Sequence, residues 1–103
     1  MKSNIDISQY DFCKTLKSFP FVDKIVLFGS RARKDNKERS DIDLAVFCPS
    51  ATDSEWLKIL DIVDEANTLL KIDCLRLDKL SAESVLRQNI EKEGVFLYVK
   101  NET

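Results

Sequence analysis

Two apolar runs joined by a polar arm constrain this chain more than any other stretch. The first, Lys24-Ile25-Val26-Leu27-Phe28, breaks at Gly29-Ser30. The arm Arg31 to Ser40 then leads into Asp41-Ile42-Asp43-Leu44-Ala45-Val46-Phe47. Residues two apart in a strand share a face, with Cα atoms about 6.5–7 Å apart. The alternation at its start therefore puts Asp41 and Asp43 on one face of a strand expected over 41–48, with aliphatic side chains on the other.

Two carboxylates facing the same way repel unless a cation lies between them, and hard divalent ions prefer such oxygen ligands. Asp is depleted in strands, so a pair opening an otherwise apolar one needs a reason. Gly29 allows backbone to approach a bulky ligand, and Ser30 can offer an N–H and a hydroxyl to phosphate. Alone, Gly29-Ser30 is an ordinary turn, and no Walker loop surrounds it. Together, the features point to a nucleoside triphosphate held on metal ions.

Composition removes several competing chemistries. Histidine is absent, which excludes Ser-His-Asp and Cys-His catalysis and all histidine-ligated metals. Cys13, Cys48 and Cys74 are far apart and form no C-x-x-C pair, so they are read as reduced, mostly buried small hydrophobes. A net charge of −2 argues against a general nucleic-acid surface. Locally, Arg31, Arg33, Lys34, Lys37 and Arg39 outnumber Asp35 and Glu38, making a basic arm that could meet a triphosphate. No apolar run is long enough to span a bilayer, and Met1–Asp6 lacks a signal-peptide segment, so a cytoplasmic protein is expected.

With 103 residues, 44% of them apolar, and two glycines, the chain is expected to form one domain over 1–103 with its core at about 20–99. Tyr10, Cys13, Leu16 and Phe19 predict a first helix over 7–19, with Ser8 as its cap and Pro20 ending it. Ser30 to Lys34 can form one helical turn. Thr52 or Asp53 can cap a longer helix carrying Trp56, Ile59, Leu60, Val63, Ala66 and Leu70. A third strand is expected over 71–77, with Ile72, Cys74 and Arg76 on one face and Asp73, Leu75 and Leu77 on the other. Ser81 can cap a helix running to Glu93 on the stripe Val85, Leu86 and Ile90, with Gly94 at its C′ position. Val95–Val99 forms the last strand, followed by a polar tail, Lys100–Thr103.

Gly29-Ser30, ten residues, then Asp41-Ile42-Asp43 resembles the G-S-x10-D-x-D signature of the DNA polymerase β-like nucleotidyltransferase superfamily. The small size and Glu93-Gly94-Val95-Phe96-Leu97-Tyr98 are similar to its minimal members, including MntA-type antitoxins paired with HEPN-domain ribonuclease toxins. The resemblance implies an α/β (α+β) fold, with a mixed sheet and helices packed mainly on one face. It also implies a third carboxylate on a later strand, a role that falls to Asp73, with Asp78 as competitor. Asp41, Asp43 and Asp73 would be catalytic and hold two Mg²⁺ ions, while Gly29, Ser30 and Arg31 would bind the phosphates of ATP. Arg33 and Arg39 are weaker candidates. The implied activity is transfer of AMP to a tyrosine of a HEPN toxin, within a hetero-oligomer. A non-catalytic antitoxin and the catalytic half of a two-component small-molecule nucleotidyltransferase remain open alternatives.

Overall fold

The computed structural model describes residues 7–100; the start Met1–Asp6 and the tail beyond Lys100 lie outside the described residues. Four strands, β1 (Lys24–Phe28), β2 (Ile42–Phe47), β3 (Ile72–Arg76) and β4 (Val95–Val99), form one mixed sheet in the order β3-β2-β1-β4. β1 pairs antiparallel with β2 and β4, whereas β2 pairs parallel with β3. The helices are α1 (Asp11–Ser18), α2 (Ser30–Arg33), α3 (Asp53–Asp64) and α4 (Val85–Glu93). The expected mixed α/β architecture is present, and no helix among the described residues is long and apolar enough to cross a membrane.

The periodicities of the chain decide which sheet face each helix covers. Ile25 and Leu27 of β1 and Ile42, Leu44 and Val46 of β2 point to one side, where they meet Phe12, Cys13 and Leu16 of α1 and Ile59 and Val63 of α3. This is the main core. On the other side Val26 and Ala45 meet Ile90 of α4 and Leu77, with Phe28, Phe47, Leu75 and Leu80 around them. β2, apolar on both faces, is central for that reason.

Several boundaries differ from the sequence expectation. The first helix is split: a 3₁₀ turn over Ile7–Gln9 precedes α1, and Tyr10, in extended backbone, stands at the N-cap in place of Ser8. The turn closes through Tyr10 N–H to Ile7 C=O at 3.2 Å, so the helical ladder starts only afterwards. Thr52 caps α3 with a reciprocal capping box to Glu55, but the helix stops at Asp64, and Ala66 and Leu70 reach the core from the following turns. Ser84, not Ser81, caps α4, while Ser81 binds the N–H groups of the preceding turn. Of the expected stripe only Ile90 is buried; Val85 and Leu86 are 71% and 45% exposed, because a single short helix over this face reaches the sheet at one turn.

Gly94 ends α4 as expected but in extended backbone rather than the left-handed conformation. Space is the reason for glycine here, since a Cβ would strike the Ile90 carbonyl and the Val26 side chain. The helix can thus pass directly into β4.

Beyond β3 the chain turns through a 3₁₀ segment, Leu77–Lys79, fixed by a buried ion pair between Arg76 Nε and Asp78 Oδ2 at 2.9 Å. Arg76 Nη2 also donates to the carbonyls of Cys48 (3.0 Å) and Ala51 (2.9 Å), and Asp78 accepts from the Cys48 N–H at 2.9 Å. This clamp ties the exits of β2 and β3 together. Burial pushes the thiols of Cys48 and Cys74 up to about 12, so both stay protonated, as small apolar side chains would. Replacing Arg76 with Ala leaves the Asp78 charge buried without its partner, and we expect a loss of about 3–5 kcal/mol in urea unfolding.

Candidate active site

β1 ends at Phe28, and Phe28 is the register partner of Asp43. The residue after Phe28 must therefore pass the Asp43 side chain. Gly29 does so at φ 74°, ψ −154°, a region that only glycine occupies readily. A Cβ on Gly29 would also run into Asp43 Oδ2. Two separate constraints thus demand glycine at this position. Gly29 C=O then accepts from the N–H groups of Ala32 and Arg33, both at 3.1 Å, starting α2 at Ser30. The first N–H groups of such a turn have no intrahelical acceptor and face outward from its start.

β2 begins at Ile42, so Asp41 stands one residue outside the ladder and is exposed, while Asp43 is half-buried within it. In the parallel pairing Asp43 is the partner of Asp73, across strands about 4.8 Å apart. Paired residues point to the same face, and here it is the face carrying Ala45, Phe28 and α4. Asp73 thus shares a face with Leu75, as its position in the third strand predicts.

Burial raises the Asp43 carboxyl above the ordinary carboxylate range, and the charges of Asp73 and Asp41 raise it further. Arg33 and Lys71 oppose that shift. Lys71 Nζ lies 3.5 Å from Asp73 Oδ1, and Arg33 is paired with Asp35 at 3.1 Å and, across to α4, with Glu93 at 3.9 Å. Lys71 is a site neighbour that the sequence motif does not single out, although its spacing of two from Asp73 puts both on one side of the chain. Arg33, a weaker candidate than Arg31 by sequence, is the arginine whose charge acts on Asp43.

Arg31 itself is turned to the loop: Nε donates to Ser40 C=O at 3.1 Å, and Nη2 donates to the carbonyls of Ser40 (2.8 Å) and Glu38 (3.0 Å). Arg39 is exposed. Asp78, the competitor for the third carboxylate, is committed to Arg76 and the Cys48 N–H away from Asp43.

Among the described residues no three carboxylate or cysteine side chains are drawn together tightly enough to hold a metal ion as they stand. The chemistry of the donor set nevertheless fits a hard divalent cation. Asp43 and Asp73 are neighbours on one face, Asp41 lies two residues away, and their mutual repulsion is the kind that such an ion relieves. Beside α2 a cleft of about 230 Å³ opens between Phe28, Gly29 and Arg33 and the α4 residues Leu86, Asn89 and Glu93.

A strand-turn-strand unit presenting Gly-Ser at the end of one strand and carboxylates on the next two is the frame of a nucleotidyltransferase domain. The family model for polymerase beta, nucleotidyltransferase, matches residues 11–103, and the chain belongs to that family. Among solved structures, a toxin–antitoxin complex with AMP-PNP is 25% identical, with a TM-score of 0.60, over 87% of this chain and 73% of that one. The toxin–antitoxin MntA–HepT is 26% identical, with a TM-score of 0.51, over 84% and 67% of the two chains. A Sulfolobus solfataricus protein provisionally described as a nucleotidyltransferase shares the fold at 21% identity and a TM-score of 0.57, over 97% and 90%. No match is found among curated proteins.

Two substitutions test this geometry in the metal-free protein. Gly29→Ala forces an L side chain into a glycine region and against Asp43, and should cost roughly 1–3 kcal/mol in chemical unfolding. Asp43→Asn acts in the opposite direction. A carboxyl raised in the folded state weakens folding wherever it is ionised, at pH values above its unfolded range, and the penalty fades as pH falls through the folded value. The Asn variant should therefore melt at or above the parent temperature at pH 7, with the difference shrinking toward pH 4; a lower melting temperature at pH 7 would contradict the assigned repulsion.

Proposed function

We propose that this chain is a metal-dependent nucleotidyltransferase that transfers AMP from ATP to a tyrosine hydroxyl of a HEPN-domain ribonuclease toxin, and so serves as the antitoxin of that partner. The observation that carries the reading is the in-register pair Asp43 and Asp73, with Asp41 beside them and Gly29-Ser30 against Asp43. Support for the partner comes from the relatives: at 25–26% identity the similar structures are toxin–antitoxin complexes, one of them with AMP-PNP, an analogue of ATP.

In this reading Asp41, Asp43 and Asp73 would hold Mg²⁺, which would supply charge neutralisation at the phosphates and a lower pKa for the attacking hydroxyl. Gly29 and Ser30 bind the terminal phosphates through backbone N–H groups and the serine hydroxyl, and Arg33 adds positive charge on the same side. The tyrosine oxygen attacks the α-phosphorus, its proton passes to Asp73, and the bond from the α-phosphorus to the bridging oxygen breaks. Pyrophosphate leaves from Ser30, and AMP stays on the tyrosine as a phosphodiester. The added charge and bulk then block the RNA-binding or catalytic surface of the toxin.

One observation favours a second reading, neutralisation of the partner by occlusion without transfer: Asp73 is paired with Lys71, and the three carboxylates are not gathered. The experiment that decides is incubation of the protein with Mg²⁺, its co-purifying partner, and ATP labelled at the α or the γ position, with Asp43→Asn beside it. Label on the partner band from the α position alone, lost in the variant, is the expected result. Protection of the partner without label, equally by the variant, supports occlusion; label in a small molecule indicates a different acceptor.

A further inference from the structure

We infer that Arg31 is a positioning residue for Asp41 that acts through the loop carbonyls, rather than a phosphate ligand; the inference rests on the metal-site reading above. Asp41 lies outside the β2 ladder, and no hydrogen bond among the described residues fixes it directly. Its place is set by its two neighbours. On one side Ile42 N–H donates to Lys71 C=O at 2.8 Å, which is where the chain joins the sheet. On the other, the Ser40 carbonyl is held by two donors of Arg31, Nε at 3.1 Å and Nη2 at 2.8 Å, and Nη2 also reaches Glu38 C=O at 3.0 Å.

Ser40 is well suited to transmit this hold. Its N–H donates to Lys37 C=O at 3.1 Å and its Oγ accepts from Lys37 N–H at 2.8 Å, so the turn before Asp41 is closed from both ends. Arg31 therefore links the start of α2, next to Gly29-Ser30, to the peptide that delivers Asp41. That guanidinium, with the Ile42–Lys71 bond, sets the spacing between the Gly29-Ser30 turn and Asp41.

The chemistry of arginine separates this role from phosphate binding. A planar guanidinium presents five N–H donors in a rigid fork. Here the Nε–Nη2 edge is committed to carbonyls, and Nη2, which either two-pronged contact with a phosphate needs, is held by both Ser40 and Glu38. Lysine keeps the charge but cannot reproduce the fork, so Arg31→Lys releases a carbonyl clamp or a two-pronged phosphate contact alike, and the two roles are told apart by whether metal or nucleotide binding is lost.

The test uses the full chain without nucleotide, with Mn²⁺ as the metal probe read by electron paramagnetic resonance, and metal-free ATP binding in EDTA measured separately. Arg31→Lys is expected to weaken Mn²⁺ binding about tenfold, as loss of a group orienting a metal ligand does. ATP binding in EDTA should change by less than about twofold. Amide exchange in residues 34–41 should rise while the sheet stays protected, which shows that the variant is folded. Unchanged Mn²⁺ affinity, or a loss confined to ATP binding in EDTA, overturns the assignment. Failure of the unaltered protein to bind Mn²⁺ removes the metal-site reading, and this inference with it; that failure is distinguished by its appearance in the parent chain.

Discussion

Like-charge repulsion at the ends of two neighbouring strands is the constraint around which this protein is arranged. Asp43 and Asp73 are register partners in a parallel pair and cannot be far apart while β2 and β3 remain hydrogen-bonded. Asp41 adds a third charge beside them, and the Asp43 carboxyl is raised first by its burial and then by the charges of Asp73 and Asp41. Such an arrangement gains nothing for folding. Its placement at the open ends of β2 and β3, beside a glycine turn that can exist only because it lacks a Cβ, agrees with the proposal that a cation and a polyanion belong there.

The rest of the fold keeps that arrangement in place. α1 and α3 bury one face of the sheet almost completely, and the Arg76–Asp78 clamp locks β2 to β3 at the end away from the carboxylates. Because β2 is packed on both sides, the register that sets Asp43 against Asp73 and against Phe28 is strongly specified. The opposite face is covered more thinly, by α4 and by Leu77 of the 3₁₀ segment, and a cleft remains next to Gly29 and Arg33. Stability is concentrated on one face and access on the other, a division that suits a small domain with a site to keep open.

Much of this architecture is legible in the amino-acid sequence, because the signals are local. A continuous apolar run places β1 and alternation places the start of β2 and β3, Thr52 announces the start of α3, and Asp73 falls on the face opposite Cys74 as the period of two requires. The departures arise where a residue has two possible jobs. Ser81 and Ser84 are both good caps, and the position of α4 over Val26 selects the second. Leu86 and Val85 have the spacing of a core stripe, yet the sheet offers α4 contact only near Ile90. Gly94 has the placement of a left-handed cap but is glycine for clearance.

What the chain determined alone is the pairing of Gly29-Ser30 with Asp41 and Asp43, since strand period and turn chemistry act over a few residues. What only the tertiary structure decided is which charges meet. The parallel register of β2 and β3 brought Asp73 to Asp43 across a long crossover and sent Asp78 to Arg76 instead. The fold of the arm turned Arg31 onto the Ser40 carbonyl and left Arg33 acting on the carboxylates. Asp43 and Asp73 are distant in sequence, and even the contacts between near neighbours take a geometry set by packing that no local pattern encodes.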